Sequence, residues 1–158
     1  MAASSFFRRG AQLLHFITRE SRGFDRVAEK IELTAFTEGH CTCCMVLGEE
    51  HTNHGGTIHG GFTATLVDLV TTIAIMSTGP QIPGVSVDMT VSYLRAARPG
   101  DEIIINATCI KAGKSLAFSK ADIKLADGTI LAHGQHTKFV GKALGPSTKL
   151  SEIKASDT

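Results

Sequence analysis

The chain has 158 residues, of which 42% are apolar and 20% charged, with a net charge of +1. That length suits one compact domain with its own core. The balanced charge, with no run of like sign and no tryptophan, lacks the electrostatic footprint of a nucleic-acid binder.

The first eighteen residues, MAASSFFRRGAQLLHFIT, contain no acid and include Arg8 and Arg9. This composition suits a mitochondrial presequence. The plainer reading is an amphipathic helix within residues 1–22, with Phe6, Leu13 and Ile17 near one face. KIELTAF (30–36) and HCTCCMVL (40–47) flank Thr37-Glu38-Gly39 and read as a β-hairpin. Cys41 and Cys44 satisfy C-x-x-C, yet no second ligand pair follows at zinc-like spacing. A strand of small buried cysteines is the simpler account. With no secretory signal in view, a reducing compartment is expected, cytosol or mitochondrion.

Residues 48–59 are polar and read as a loop. Gly60 to Ser77 lacks proline, is apolar nearly all round, and reads as a long buried helix ended by Gly79-Pro80. Asp68, the glycine pair and the threonines oppose a membrane span, so no transmembrane segment is expected. Four strands follow at 85–94, 102–111, 115–125 and 129–140, separated by short breaker-containing turns that predict an antiparallel meander. The polar tail from Gly141 to Thr158 is expected to be disordered. The fold class is therefore α+β, one domain over 1–140, with a six-stranded antiparallel sheet wrapped around a central helix. A helix apolar on all sides needs cover on all sides. One sheet has trouble supplying it, so a second copy of the chain is expected.

HTNHGGTIHGGFTATLVD, PGVSVDMTVSYL, GKSLAFS and GQHTK, in that order, resemble the hotdog-fold acyl-CoA thioesterases of the acyl-coenzyme A thioesterase 13 type. The resemblance runs from about Phe7 to Gly141. It implies hydrolysis of fatty acyl-CoA to fatty acid and coenzyme A, without metal or bound cofactor. It also implies a homodimer that assembles into a homotetramer, with active sites at subunit interfaces. Its motif spacing falls on Asn53, Gly60, Asp68 and Ser86 as site residues. It places CoA contacts on Tyr93, Leu94, Arg95, Ala96, Ala97 and Arg98, and on Lys111, Ala112, Gly113, Lys114, Ser115 and Leu116.

The residue chemistry runs alongside. Gly60 and Gly61 stand at a helix N-terminus, where N–H groups lack intrahelical partners and the macrodipole is positive. They can donate to a developing oxyanion, or simply let the helix pack closely. Asp68 has no lysine or arginine near it in sequence. Burial there would raise its pKa and suit it to take a proton from water. The alternative is a carboxylate satisfied structurally by Thr65, Thr71 or Thr72. Gly60 and Asp68 lie about 12 Å apart along the helix, a marginal reach for one site within one chain. Ser86 can hold the attacking water; as a nucleophile it lacks G-x-S-x-G and an evident base. Asn53 can donate to the carbonyl or fix its loop, and family position favours the first. His59 is read as a loop anchor supporting the site rather than as the base. His51, His54, His133 and His136 form no H-E-x-x-H, and no metal site is expected. Arg95, Arg98, Lys111 and Lys114 supply cations for CoA phosphates, or an ordinary solvated sheet edge. Two rival functions remain: a hotdog dehydratase of 3-hydroxyacyl thioesters using His59 and Asp68, and a non-catalytic acyl-CoA binder.

Overall fold

The structure, a computed structural model, describes residues 4–142 and 149–154. Helix α1 (Ser5–His15) opens with Ser4 as cap, its hydroxyl accepting from the Phe7 N–H at 3.1 Å. Its apolar face is the expected one: Leu13 and Leu14 are buried, and Phe6 stacks on Phe36 with ring centroids 4.8 Å apart. A π turn (Phe16–Glu20) and a 3₁₀ turn (Phe24–Ala28) carry the chain to the sheet.

Strands β1 (Glu32–Thr37) and β2 (His40–Val46) make the expected hairpin. Its turn closes through Gly39 at φ 75°, where a side chain would be strained. Cys41 and Cys44 fall on opposite faces of β2, so the C-x-x-C pair does not converge. Helix α2 (Gly60–Met76) follows, then β3 (Val85–Tyr93), β4 (Glu102–Ala112), β5 (Leu116–Leu125) and β6 (Ile130–Phe139). All six strands form one antiparallel sheet in the order β1-β2-β4-β5-β6-β3.

The four-strand meander is correct only for β4, β5 and β6. Strand β3 pairs with β6 at the far edge rather than with β4. Residues 94–101 are not a tight turn. Leu94 and Arg95 both donate their N–H to Leu131 O at the start of β6, Ile58 N–H donates to Ala97 O, and Leu47 N–H donates to Asp101 O. The segment thus crosses the end of the sheet and delivers β4 beside β2.

Helix α2 lies against the sheet so closely at β6 that a Cβ on Gly134 would sit 2.4 Å from Val67 Cγ1. Leu66, Val67, Val70, Ile73 and Ala74 are completely buried within one chain. The sheet does not cover this helix alone, as expected, but most of the remaining cover comes from the same chain. The sheet takes one side, and the N-terminal segment with Leu13, Leu14, Ala28 and Ile31 joins the same core on the other. Only a narrow strip, Gly60, Gly61, Ala64, Thr65 and Asp68, stays at least partly open. The tail is corrected in part as well. Residues 149–154 are ordered by a 3₁₀ turn (Leu150–Glu152), and Leu150 is buried in the main core. Residues 143–148 and 155–158 lie outside the described residues. Among the described residues, no helix is long and apolar enough to cross a membrane.

Candidate active site

The middle of α2 and the inner face of β6 meet at a cluster of polar side chains inside an apolar core. Gly134, His136 and Lys138 alternate along β6, so all three point at the helix. His136 and Lys138 are only 1% and 5% exposed. Lys138 Nζ donates to Thr72 Oγ1 at 2.7 Å, and Thr72 donates to Asp68 Oδ1 at 3.3 Å. Lys138 Nζ also lies 3.6 Å from Asp68 Oδ1, and His136 Nδ1 lies 3.8 Å from it. Ser86 Oγ, on β3, is 2.8 Å from His136 Nε2.

The tautomer of His136 follows from its neighbours. Thr71 Oγ1 is 2.6 Å from Val67 O, a contact that requires the hydroxyl hydrogen between two oxygens. Thr71 Oγ1 must then accept at its 2.8 Å contact with His136 Nδ1, which carries a proton. Burial, reinforced by the Lys138 cation, holds the His136 pKa below the ordinary histidine value, against the pull of Asp68 and Asp88. The neutral ring therefore turns its Nε2 lone pair to Ser86, whose O–H donates to it. Lys138 is likewise held below the usual lysine value, by burial, with Asp68 acting in the opposite sense.

These facts correct the sequence picture of Asp68. Its side chain is 48% exposed, and its cationic partner arrives from β6, seventy residues away in sequence. The carboxylate is neither deeply buried nor unpaired, so the picture of a lone buried charge does not hold. Of the three threonines considered, Thr72 bonds the carboxylate, while Thr65 and Thr71 donate to helix carbonyls. Ser86 also has the base partner that seemed missing. The residues overlooked in sequence are Lys138 and, as a partner of Ser86, His136. The alternation of G-x-H-x-K along β6 was the signal for both.

The other predicted residues gather at the opposite end of α2. His59 caps the helix, its Nδ1 accepting from the Gly61 N–H at 2.8 Å, which fits the anchoring role. Gly61's donor is thereby spent. Among the described residues, nothing accepts from the Gly60 N–H. Tyr93 Oη donates to Gly60 O at 3.1 Å and covers the glycine. Asn53 is tied into its own turn: Oδ1 accepts from the N–H groups of Gly55 and Thr57, and Nδ2 donates one hydrogen to Thr57 Oγ1. Its second amide hydrogen is left for a ligand.

The structure thus assembles two partial constellations. One holds Asp68, Ser86, His136 and Lys138; the other holds Asn53, Gly60 and Tyr93. Eight residues of helix and the seven steps of β3 from Ser86 to Tyr93, roughly 23 Å of strand, separate them. The two stretches expected to contact CoA are separated the same way. Tyr93 pairs with Ala132 at one end of the sheet, while Leu116 and Val85 both pair with Phe139 at the other. The cations Arg95, Arg98, Lys111 and Lys114 are all exposed, but Ala97 is buried with its carbonyl bonded to Ile58, so its side chain is corrected out of that surface. A cavity of about 1070 Å³ opens beside Asp68 and Lys138 and runs between α1 and α2.

Residues 55–132 match the family model described as the thioesterase superfamily. Acyl-coenzyme A thioesterase 13 of Mus musculus is 48% identical over 120 residues, covering 75% of this chain and 86% of that protein. The Homo sapiens protein of the same name is 46% identical over 123 residues, covering 77% and 88%. The crystal structure of zebra fish thioesterase superfamily member 2 superposes with TM-score 0.80 at 45% identity, covering 83% of this chain and 95% of that one. The wrapped-helix architecture is the hotdog fold of these neighbours, and the chain belongs to the thioesterase superfamily.

Proposed function

We propose that this protein hydrolyses fatty acyl-CoA thioesters to fatty acid and coenzyme A. The observation that carries the reading is the Asp68–Thr72–Lys138 and Ser86–His136 cluster at the edge of a large cavity, in a chain 48% identical to an acyl-CoA thioesterase. Asp68 accepts a proton from water as the water oxygen bonds to the thioester carbon. Ser86, having given its hydrogen to His136, offers a lone pair that holds the water's other hydrogen. The carbonyl oxygen becomes an oxyanion facing the Gly60 N–H and the free hydrogen of Asn53 Nδ2. Preorganised donors of this kind contribute about 3–4 kcal/mol each in comparable enzymes. Collapse of the adduct breaks the C–S bond and releases CoA thiolate, which takes up the proton.

The two constellations meet if two chains combine. Strand β3 ends the sheet with a free edge carrying Val85 and Val87, 51% and 58% exposed. Such an edge invites pairing. A two-fold axis that pairs β3 antiparallel with its copy brings the Tyr93 end of one protomer to the Ser86 end of the other. Gly60 and Asn53 of one chain then face Asp68 and Ser86 of its partner, and Tyr93–Arg98 approaches the partner's hairpin turn of the same sequence as Lys111–Leu116. This dimer is the unit of activity in our reading; two such dimers would make the tetramer.

One specific observation favours a second mechanism. The 2.8 Å Ser86–His136 contact is the geometry of a nucleophile and its base. It would form an acyl-Ser86 intermediate in place of direct attack by water. Mass spectrometry of enzyme quenched during turnover separates the two: unmodified Ser86 supports the water mechanism, and an acyl adduct replaces it. For the reaction class, the protein is incubated with palmitoyl-CoA and with crotonyl- and 3-hydroxyacyl-CoA while free thiol and enoyl absorbance are followed. Thiol release from palmitoyl-CoA supports hydrolysis. Change in enoyl absorbance without thiol means a dehydratase, and neither signal means a binding protein.

A further inference from the structure

The cavity beside Asp68 is lined in part by the C-terminal segment, which is seated on Gln81 just beyond the C-terminal end of α2. Leu69, Thr72 and Met76 line it from α2 and extend about 12 Å from Asp68 along the helix. Leu13, Phe16 and Ile17 line the facing wall, and Ile153 stands with Glu152 and Lys154 on the remaining side. Its size lies at the upper end for ligand pockets, and its lining surface is mainly apolar, with Glu20, Asp25, Asp68, Lys138, Glu152 and Lys154 among the residues that line it.

The segment carrying Ile153 has a built seat. Leu150 is 2% exposed and its N–H donates to Gln81 O at 3.0 Å. Ser151 N–H donates to Gln81 Oε1 at 3.2 Å. Gln81 is the one non-glycine residue with positive φ among the described residues, at 56°, just after Gly79-Pro80 ends α2. A left-handed glutamine persists only where its surroundings hold it, and here both its carbonyl and its side chain accept from residues 150 and 151. The loop after the helix and the tail thus fix one another.

We propose that Ile153, held by this seat, forms the end wall of the acyl pocket and sets the length of unbranched acyl chain the enzyme accepts. The inference rests on the acyl-CoA reading above. An acyl chain whose carbonyl lies at Asp68 has no polar group for the rest of its course, and the apolar corridor leads to Ile153. Each methylene buried along it raises affinity roughly fourfold until the chain end meets the wall.

The test uses non-hydrolysable acyl-CoA thioethers from butyryl to stearoyl, with Kd measured on the wild-type protein, Ile153→Trp and Ile153→Ala. Thioethers keep the result independent of turnover, so failure of the hydrolase reading and failure of the wall are seen separately. Filling the end of the corridor should raise the palmitoyl-to-butyryl ratio of Kd at least tenfold in Ile153→Trp. Truncation should move the tightest-binding length to a longer chain in Ile153→Ala, the variant that keeps the seat intact if tryptophan unfolds it. Parallel changes at all chain lengths, or an unaltered length profile in Ile153→Ala, would overturn the proposal.

Discussion

The two ends of α2 are built on different principles. At the Asp68 end the polar groups are mutually satisfied: Lys138, Thr72 and His136 are buried, Asp68 and Ser86 reach the surface, and partners from three elements fix them. At the Gly60 end the satisfied groups only shape the backbone, and the donors that matter point at nothing. His59 takes the Gly61 N–H, Asn53 closes its own turn, and Gly60 N–H has no acceptor among the described residues. In the proposed mechanism the first end has its proton chemistry organised before substrate arrives, and the second is a set of donors awaiting an oxygen. A catalyst of acyl transfer needs both, and one chain holds them apart.

The largest effect expected is at the organised end. Asp68→Asn preserves shape and removes the proton acceptor, so kcat should fall by about 10²–10⁴ in a correctly assembled protein. Near wild-type kcat would make the cluster structural. Ser86→Ala should cost less than Asp68→Asn, because Ser86 orients water and does not take its proton; a steady-state comparison of kcat ranks the two. A loss from Ser86→Ala equal to that from Asp68→Asn would favour the nucleophilic serine.

Lys138→Met sharpens the contrast further. Removing a cation 3.6 Å from Asp68 makes the carboxylate easier to protonate. The acid limb of kcat/KM against pH should move to higher pH, with kcat lowered roughly tenfold, less than the 10²–10⁴ expected for loss of the base itself. A purely structural lysine would lower stability and leave the limb in place.

A smaller effect concerns stability. His136, through burial and Lys138, and His51, through burial opposed by Glu50, both sit below the ordinary histidine value of 6.5. His51 stacks on Phe62 while Nδ1 accepts from Gly48 N–H and Nε2 donates to Val27 O. Folded pKa values below the unfolded value mean that the unfolded chain binds protons first. Their stabilisation is present above pH 6.5 and is lost as pH falls through the folded values. Thermal midpoints should therefore drop from pH 7 to pH 5, and His51→Asn should flatten that slope while lowering stability throughout.

Much of the fold was legible because its signals are local. The Glu38-Gly39 turn, the unbroken apolar run of α2 and the breakers around β4, β5 and β6 each announce an element over a few residues. The place of β3 was not, since residues 94–101 look like another turn and only their bonds to Leu131 and Ile58 send β4 elsewhere. Leu150 was hidden for a similar reason: one apolar anchor in a polar tail carries no periodicity. At the site, Asp68, Ser86, Asn53 and Gly60 were singled out by motif and by helix position. Lys138 and His136 were missed because pairing Asp68 with β6 is a tertiary event seventy residues away. The same tertiary contact gives Asp68 the cationic partner that its neighbours in sequence do not supply.

The claim that one active site draws on two chains is tested most directly by subunit mixing. Asp68→Asn lacks the organised end; Asn53→Ala combined with Gly60→Pro lacks the donor end, once shown to fold and assemble. Each protein alone should be inactive. In a mixed dimer one site carries both defects and the other carries none. Exchange of subunits should restore part of the thiol release from palmitoyl-CoA. Proven heterodimers that remain inactive would place Asp68, Asn53 and Gly60 in a single chain's site and contradict the account.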